Sequence, residues 1–335
     1  MSVVTPVETQ PAVVPPRPFA GQEYGRVHDG KYLQNWNPLL LASELQPGKI
    51  IGKDFLGTRV IIYRDEEGRP VVQSAYCPHV GADLSGGEIV DGKVRCPYHH
   101  WKFAKDGRCA EIPGQDHIPR VARIYNYPAA ERWGMIWAFN GEEALFELPE
   151  MPNLSEEDLV YQAFYRGERE IEGWIGSSNL VDFQHLKTVH GIPDPNPVSV
   201  VFDDYLITVR QESDARIADT KLWGGTWLTA HMQFSNGTER FFMAGSSQVR
   251  AGWSDAFFVV AMRKSQAEQL GEEGTRQEFA NRIDYMHKLY SEDEPILFAL
   301  RFRGYGKSKL LAADKYFGQF LQYIEQYPRS APFDV

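Results

Sequence analysis

Residues 77 to 101, CPHVGADLSGGEIVDGKVRCPYHHW, hold two of the chain's three cysteines and three of its nine histidines. Cys77 and His79 form a C-x-H pair, and Cys96 with His99 forms C-x2-H after sixteen intervening residues. Thiolates combined with imidazoles suit zinc or an iron–sulfur cluster. Each pair carries a proline, Pro78 or Pro97, so two loops can approach a metal from opposite sides. Zinc modules usually group like ligands, whereas each loop here supplies one of each kind. That split fits a two-iron centre in which two histidines replace two cysteines on one iron.

A second group lies in SSNLVDFQHLKTVHG, residues 177 to 191, which reads Asn179-x2-Asp182-x2-His185-x4-His190. Asp182 and His185 are three apart and share a helical face. The five-residue step to His190 overshoots a turn, so both histidines can share a metal only if the helix loosens or ends between them. Gly191 and Pro193 are placed to end it. Two imidazoles with one carboxylate make the facial triad of non-haem Fe(II) oxygenases, with positions left open for dioxygen. A histidine pair on an amphipathic helix is more often structural; the cluster motif upstream reverses that balance.

These residues need elements to hold them. With 335 residues and 43% hydrophobic content the chain is long enough for two domains. Short strands bounded by turn residues, VIIY at 60–63, VVQS at 71–74 and MIWAF at 135–139, make the first part mostly β. The polar, proline-containing stretch 146–159 marks a boundary. Beyond it residues 174–190 read as helical and TWLTAHMQF, 226–234, as a strand with Leu228, Ala230, Met232 and Phe234 on one face. FFVVAMR, 257–263, is another strand, and 275–301 and 308–327 read as helices. The expected class is α+β, an N-terminal all-β domain followed by an antiparallel sheet covered by helices. The divisions are an arm over 1–30, a first domain over 31–145 and a second over 146–335.

A net charge of −10 argues against nucleic-acid or anionic-membrane partners, which need clustered Lys and Arg. No apolar run is long enough to span a bilayer and the N-terminus does not read as a signal peptide, so a cytoplasmic protein is expected. Three cysteines make no disulfide framework, and Cys109 reads as a small buried hydrophobe.

The CxH…CxxH segment resembles the Rieske signature, and with the second motif the chain from about 31 to 328 resembles the catalytic α subunit of Rieske non-haem iron oxygenases. The resemblance implies a [2Fe–2S] cluster on Cys77, His79, Cys96 and His99, and a mononuclear Fe(II) on His185, His190 and a downstream carboxylate. Asp314 is the preferred acid, because at helical spacing it shares a side with Leu310, Phe317, Leu321 and Ile324, where an ionised carboxylate is costly unless paired or metal-bound. Glu325 and Asp284 are the alternatives. Tyr98 and Trp101 stand where the family often has an aromatic that shields the cluster or bonds a sulfur, and Asn179 is a further residue of the second motif. His100 departs from the pattern, occupying a place usually held by Gly.

The resemblance further implies a homotrimer in which Asp182 bridges His99 of a neighbour and His185 of its own chain. It implies dioxygen as co-substrate and electrons from an NAD(P)H-dependent reductase, directly or through a ferredoxin, since the chain has no nucleotide-binding loop or plant-type ferredoxin spacing. The implied reaction is hydroxylation or oxidative demethylation of an apolar, aromatic or steroid-like molecule. Ring dihydroxylation is the runner-up, and an electron carrier with a non-catalytic docking domain the alternative of another class. Trp223, Trp227, Phe234, Phe241, Phe242, Trp253, Phe257 and Phe258 enrich the sheet expected to line the cavity, with His231 a weak polar candidate.

Overall fold

The computed structural model describes residues 30–192, 197–300 and 305–333. The arm expected over 1–30 lies outside them except for Gly30, as does Pro193. The described chain forms two compact units, one built from residues 30–148, 247–251 and 328–333, the other from 149–246 and 252–327. No helix among the described residues is long and apolar enough to cross a membrane.

The first unit is all β. Its central four-stranded sheet runs in the order Asn126–Tyr127, Pro70–Ser74, Thr58–Arg64, Ile51–Phe55. Period-two alternation along Thr58–Arg64 sends Val60 and Ile62 into a core with Leu39, Val72 and Ile136. Ile61 and Tyr63 point the other way, into a core that contains Cys77, Cys96 and Cys109. The buried middle of this strand, Val60 to Tyr63, therefore separates the unit's main core from the floor of the cysteine loops. A second four-stranded sheet, Glu88–Val90, Lys93–Arg95, Lys102–Phe103 and Cys109–Glu111, carries the Cys96 loop between its middle strands.

The second unit is a seven-stranded sheet in the order Leu159–Arg169, Trp253–Arg263, Glu239–Arg250, Trp227–Phe234, Arg216–Trp223, Leu206–Glu212, Pro197–Phe202, with antiparallel pairing. Among the described residues four helices accompany it: α1 (Gly173–Ser178), α2 (Phe183–Thr188), α3 (Lys264–Leu297) and α4 (Lys315–Gln326). Helix α3 begins directly after a strand and is broken at Gly271, whose φ of 68° and ψ of 179° are non-helical. The helix expected over 275–301 thus begins earlier, at Lys264, with this break ahead of its regular part, and ends at Leu297. Past the break, Phe279, Ile283 and Met286 recur at helical spacing and pack with Phe164, Ala230, Phe242 and Phe258 of the sheet. Burying each such side chain contributes about 2 kcal/mol.

Candidate functional site

In the first unit the two ligand loops fold alike although their Cys–His spacings differ. The Gly81 amide donates to the Cys77 carbonyl at 2.8 Å, and the His100 amide donates to that of Cys96 at 3.2 Å. Each cysteine amide then donates across its loop, Cys77 to Ala82 at 2.9 Å and Cys96 to Trp101 at 2.8 Å. Closing this turn requires a left-handed residue four places after the cysteine, and Gly81 (φ 78°) and His100 (φ 60°) fill it. His100 is thus explained by backbone geometry, since His is among the few non-glycine residues enriched at positive φ.

Both thiols are buried, at 2% and 1% exposure, whereas His79 and His99 are exposed with ring centroids 4.6 Å apart. Burial pushes the Cys77 thiol up to about 12, with Cys96 beside it adding to the rise. Two adjacent thiols in a dry floor can ionise together only when a cation compensates them. The donor set therefore fits a two-iron cluster, which the buried Cys77 and Cys96 would hold from below and the exposed His79 and His99 from the solvent side. Trp101 stacks on His79 at 4.8 Å and Tyr98 packs against His99 at 3.8 Å, so both aromatics meet the imidazoles rather than the sulfurs. Cys109 is buried in the same core, its Sγ toward the Glu111 carbonyl at 3.4 Å.

In the second unit the helix expected over 174–190 is interrupted. A short 3-10 turn, Asn179–Val181, follows α1, and Asp182 adopts a non-helical φ of −93° and ψ of 82° as the N-cap of α2. Asp182 Oδ1 accepts the His185 amide at 3.2 Å, while the His185 ring Nδ1 meets the Asp182 carbonyl oxygen. The carboxylate thus reaches its own His185 through the backbone, and the ring is held by the adjacent carbonyl. Helix α2 ends at Thr188, and past this end His190 lies with its imidazole centroid 5.2 Å from that of His185, the rings at 80°, just ahead of Gly191 (φ 64°).

The third member of the group is Asp293, near the end of α3. One ligand atom from each of His185, His190 and Asp293 lies within 4.8 Å of the others. His190 Nε2 is 3.1 Å from Asp293 Oδ1, about the separation of two donors at right angles around a metal roughly 2.1 Å from each. His190 Nδ1 donates to Glu292 Oε2 at 2.9 Å and His185 Nδ1 donates to the Asp182 carbonyl, so both rings turn Nε2 toward the metal position. Glu294 anchors the same turn of α3: its carboxylate takes Arg166 Nη2 at 3.0 Å and Arg169 Nη1 at 3.3 Å, and also pairs with Arg166 Nη1.

Asp314 is not part of this group. It ends a 3-10 turn, Ala312–Asp314, ahead of α4, and its Oδ2 accepts the Leu311 amide at 2.8 Å. A short carboxylate at a helix start satisfies free amides there, and that local bond removes Asp314 from the apolar stripe that Phe320, Leu321 and Ile324 continue. The alternatives fare no better: Glu325 accepts the Tyr305 amide at 3.0 Å and Asp284 is exposed. The sequence did hold a signal for Asp293. It continues the α3 stripe Phe279, Ile283, Met286, Tyr290 at steps of three and four, and is 8% exposed. The flanking Glu292 and Glu294 disguise it as a solvated charge run.

His185, His190 and Asp293 open on a cavity whose walls include Leu228, Ala230, Met232, Phe242 and Phe258, with Asn179 near the histidines' end of the chain segment. The face expected from period-two reading of residues 226–234 does line it, as far as Met232. His231 points away: its Nε2 pairs with Glu239 at 3.1 Å and its ring stacks on Phe241 at 4.4 Å. Among the eight aromatics expected around the cavity, Phe242 and Phe258 reach it.

Burial pushes the His185 imidazole below its ordinary value of 6.5, against the raising influence of Asp182 and Asp293. As pH falls, the unfolded chain takes up this proton before the folded one. Stability of the metal-free protein is therefore expected to be fully held above about 6.5 and to decline below it. Thermal unfolding at pH 7.5 and 5.5 checks this: His185→Asn should show the smaller decline, and an equal or larger decline would refute it.

Residues 35–126 match the Rieske [2Fe-2S] domain family. The chain is 33% identical over 180 residues to cholesterol 7-desaturase nvd of Bombyx mori, covering 52% of this chain and 39% of that one. It is 29% identical over 219 residues to aminopyrrolnitrin oxygenase PrnD of Pseudomonas fluorescens, covering 62% and 57%. It thus spans roughly two fifths to three fifths of the length of these curated relatives. The fold is similar to that of a solved structure of a Pseudomonas putida CBB5 NdmA mutant with caffeine, with a TM-score of 0.72 at 17% identity over 88% of this chain and 90% of that one.

Proposed function

We propose that this chain, whose residues 35–126 match the Rieske [2Fe-2S] domain family, is a Rieske non-haem iron terminal oxygenase that hydroxylates or oxidatively demethylates an apolar small molecule. The observation that carries the reading is the set His185, His190 and Asp293 opening on a largely apolar cavity. An electron carrier with a docking domain has no use for three convergent donors beside a largely apolar cavity.

Iron(II) there would supply the site of dioxygen activation, and the cluster one electron at a time. The chain's own residues do the rest. Glu292 and the Asp182 carbonyl fix the two imidazoles with Nε2 inward, and Glu294 holds the turn that carries Asp293. The aliphatic and aromatic walls bind substrate and exclude water. Asp182 Oδ2 has no hydrogen-bond partner among the described residues, which suits a bridge to His99 of a neighbouring copy in a homotrimer. Exposed His79 and His99 suit electron entry from a separate NAD(P)H-dependent reductase or ferredoxin, in the reducing setting of the cytoplasm that unpaired thiols favour.

The purified protein should be red-brown, with about three irons per chain, two in a reducible paramagnetic cluster and one mononuclear. With a surrogate reductase it should couple oxygen uptake to product formation from a panel of apolar compounds. About two irons per chain would leave an electron carrier, and a colourless zinc protein would end the reading altogether.

A further inference from the structure

Arg216 begins the strand Arg216–Trp223 and lines the same cavity as the metal-binding group. Its Nη2 donates to Gln211 Oε1 at 3.3 Å, and no carboxylate lies within ion-pair distance of it among the described residues. The other arginine of the cavity is answered: Arg169 pairs with Glu294 and donates to Ser246 Oγ at 3.2 Å. Burial pulls the Arg216 guanidinium below its ordinary value, with the Tyr285 hydroxyl as the opposing influence. Because a guanidinium does not give up its proton, partial desolvation without a counter-charge is a standing cost. An incoming anion would remove it.

The geometry points to Arg216, oriented by Gln211, as a subsite for a carboxylate at one end of the substrate, the other end being presented to His185, His190 and Asp293. This assignment rests on the oxygenase reading of the cavity and narrows its substrate class. A carboxylate matches the planar two-pronged donor face of guanidinium. Leu228, Ala230 and Met232, alternating along one strand face, supply an apolar wall for the body of the molecule. The fitting substrate is therefore a monocarboxylic acid with an apolar aryl or alicyclic body.

Full-length, metal-loaded protein is titrated calorimetrically with three acids and their primary amides: biphenyl-4-carboxylate, 4-phenylbutanoate and lithocholate. At least one acid should bind on the order of 10- to 100-fold tighter than its amide, the span of a charge-assisted hydrogen bond. Arg216→Gln should bring acid and amide within about threefold while leaving the amide unchanged, and Arg216→Lys should restore part of the preference. Equal binding of acid and amide, a preference that survives Arg216→Gln, or no acid bound in the whole panel overturns the assignment. Arg216→Met gives an independent readout. Removing an unanswered, partly buried charge should leave the melting temperature unchanged or higher, and a fall of several degrees would make Arg216 structural instead. Acid preference in a protein that binds no mononuclear iron would sink the oxygenase reading alone, whereas iron without acid preference would sink this one alone.

Discussion

Asp293→Ala is expected to empty the mononuclear site while sparing the cluster, lowering iron from about three to about two per chain. Turnover should drop by at least about 10³-fold, some 4 kcal/mol of lost transition-state stabilisation. Among the described residues Asp293 is the carboxylate that groups with both imidazoles, and it is itself buried. Without it, two neutral nitrogens must hold a dication with no anionic ligand beside them, and His190 loses the partner at 3.1 Å. Asp314→Ala is the control. It removes a cap on the Leu311 amide, costs about 1 kcal/mol of local stability and leaves iron content unchanged. Iron quantitation with the cluster absorbance measured in parallel decides between them. Retention of the third iron in Asp293→Ala, or its loss in Asp314→Ala, would reverse the assignment.

Asp182→Asn should keep both metals and still slow reductase-driven turnover by about 10- to 100-fold, the usual range for residues that hold a ligand or an electron path in place. Asparagine is the informative replacement because it remains a good N-cap, so α2 and the His185 position are preserved. What it removes is the charge, and with it the strong acceptor that Oδ2 would offer to an imidazole N–H of another copy in the proposed trimer. Alanine would confound the two effects by also uncapping α2. Single-turnover product formation from chemically pre-reduced protein, set beside steady-state turnover and metal content, separates them. Loss of mononuclear iron in Asp182→Asn would make the residue a metal-site support, and full turnover would leave it a cap only.

Glu294→Gln is a milder companion in the same region. One carboxylate currently serves Arg166 and Arg169 and fixes the turn bearing Asp293. Its loss should weaken iron retention without abolishing it, which dialysis against a graded chelator series can measure.

Much of this protein follows from local pattern. The cysteine and histidine spacings of 77–101 identify the loop donors because such spacings are short-range, and the chain between them has little freedom to place those side chains elsewhere. The break between His185 and His190 follows from the same kind of arithmetic, a five-residue step that no intact helix can bring to one metal. The strand at 226–234 and its cavity face follow from period two, and the bounded apolar runs mark the strands of the first unit.

The third carboxylate is different in kind. Asp293 and Asp314 both sit at apolar helical spacing, so amphipathic pattern alone cannot choose between them. The choice is made by which helix turns its end toward residues a hundred positions earlier, and by a backbone amide at Leu311 that engages Asp314 first. Likewise, only packing distinguishes Arg169, which meets Glu294, from Arg216, which meets no carboxylate among the described residues. Sequence alone determined the donors that are close along the chain; long-range docking of α3 against the sheet decided which distant charges complete the site, because charge pairing depends on spatial neighbours that periodicity does not encode.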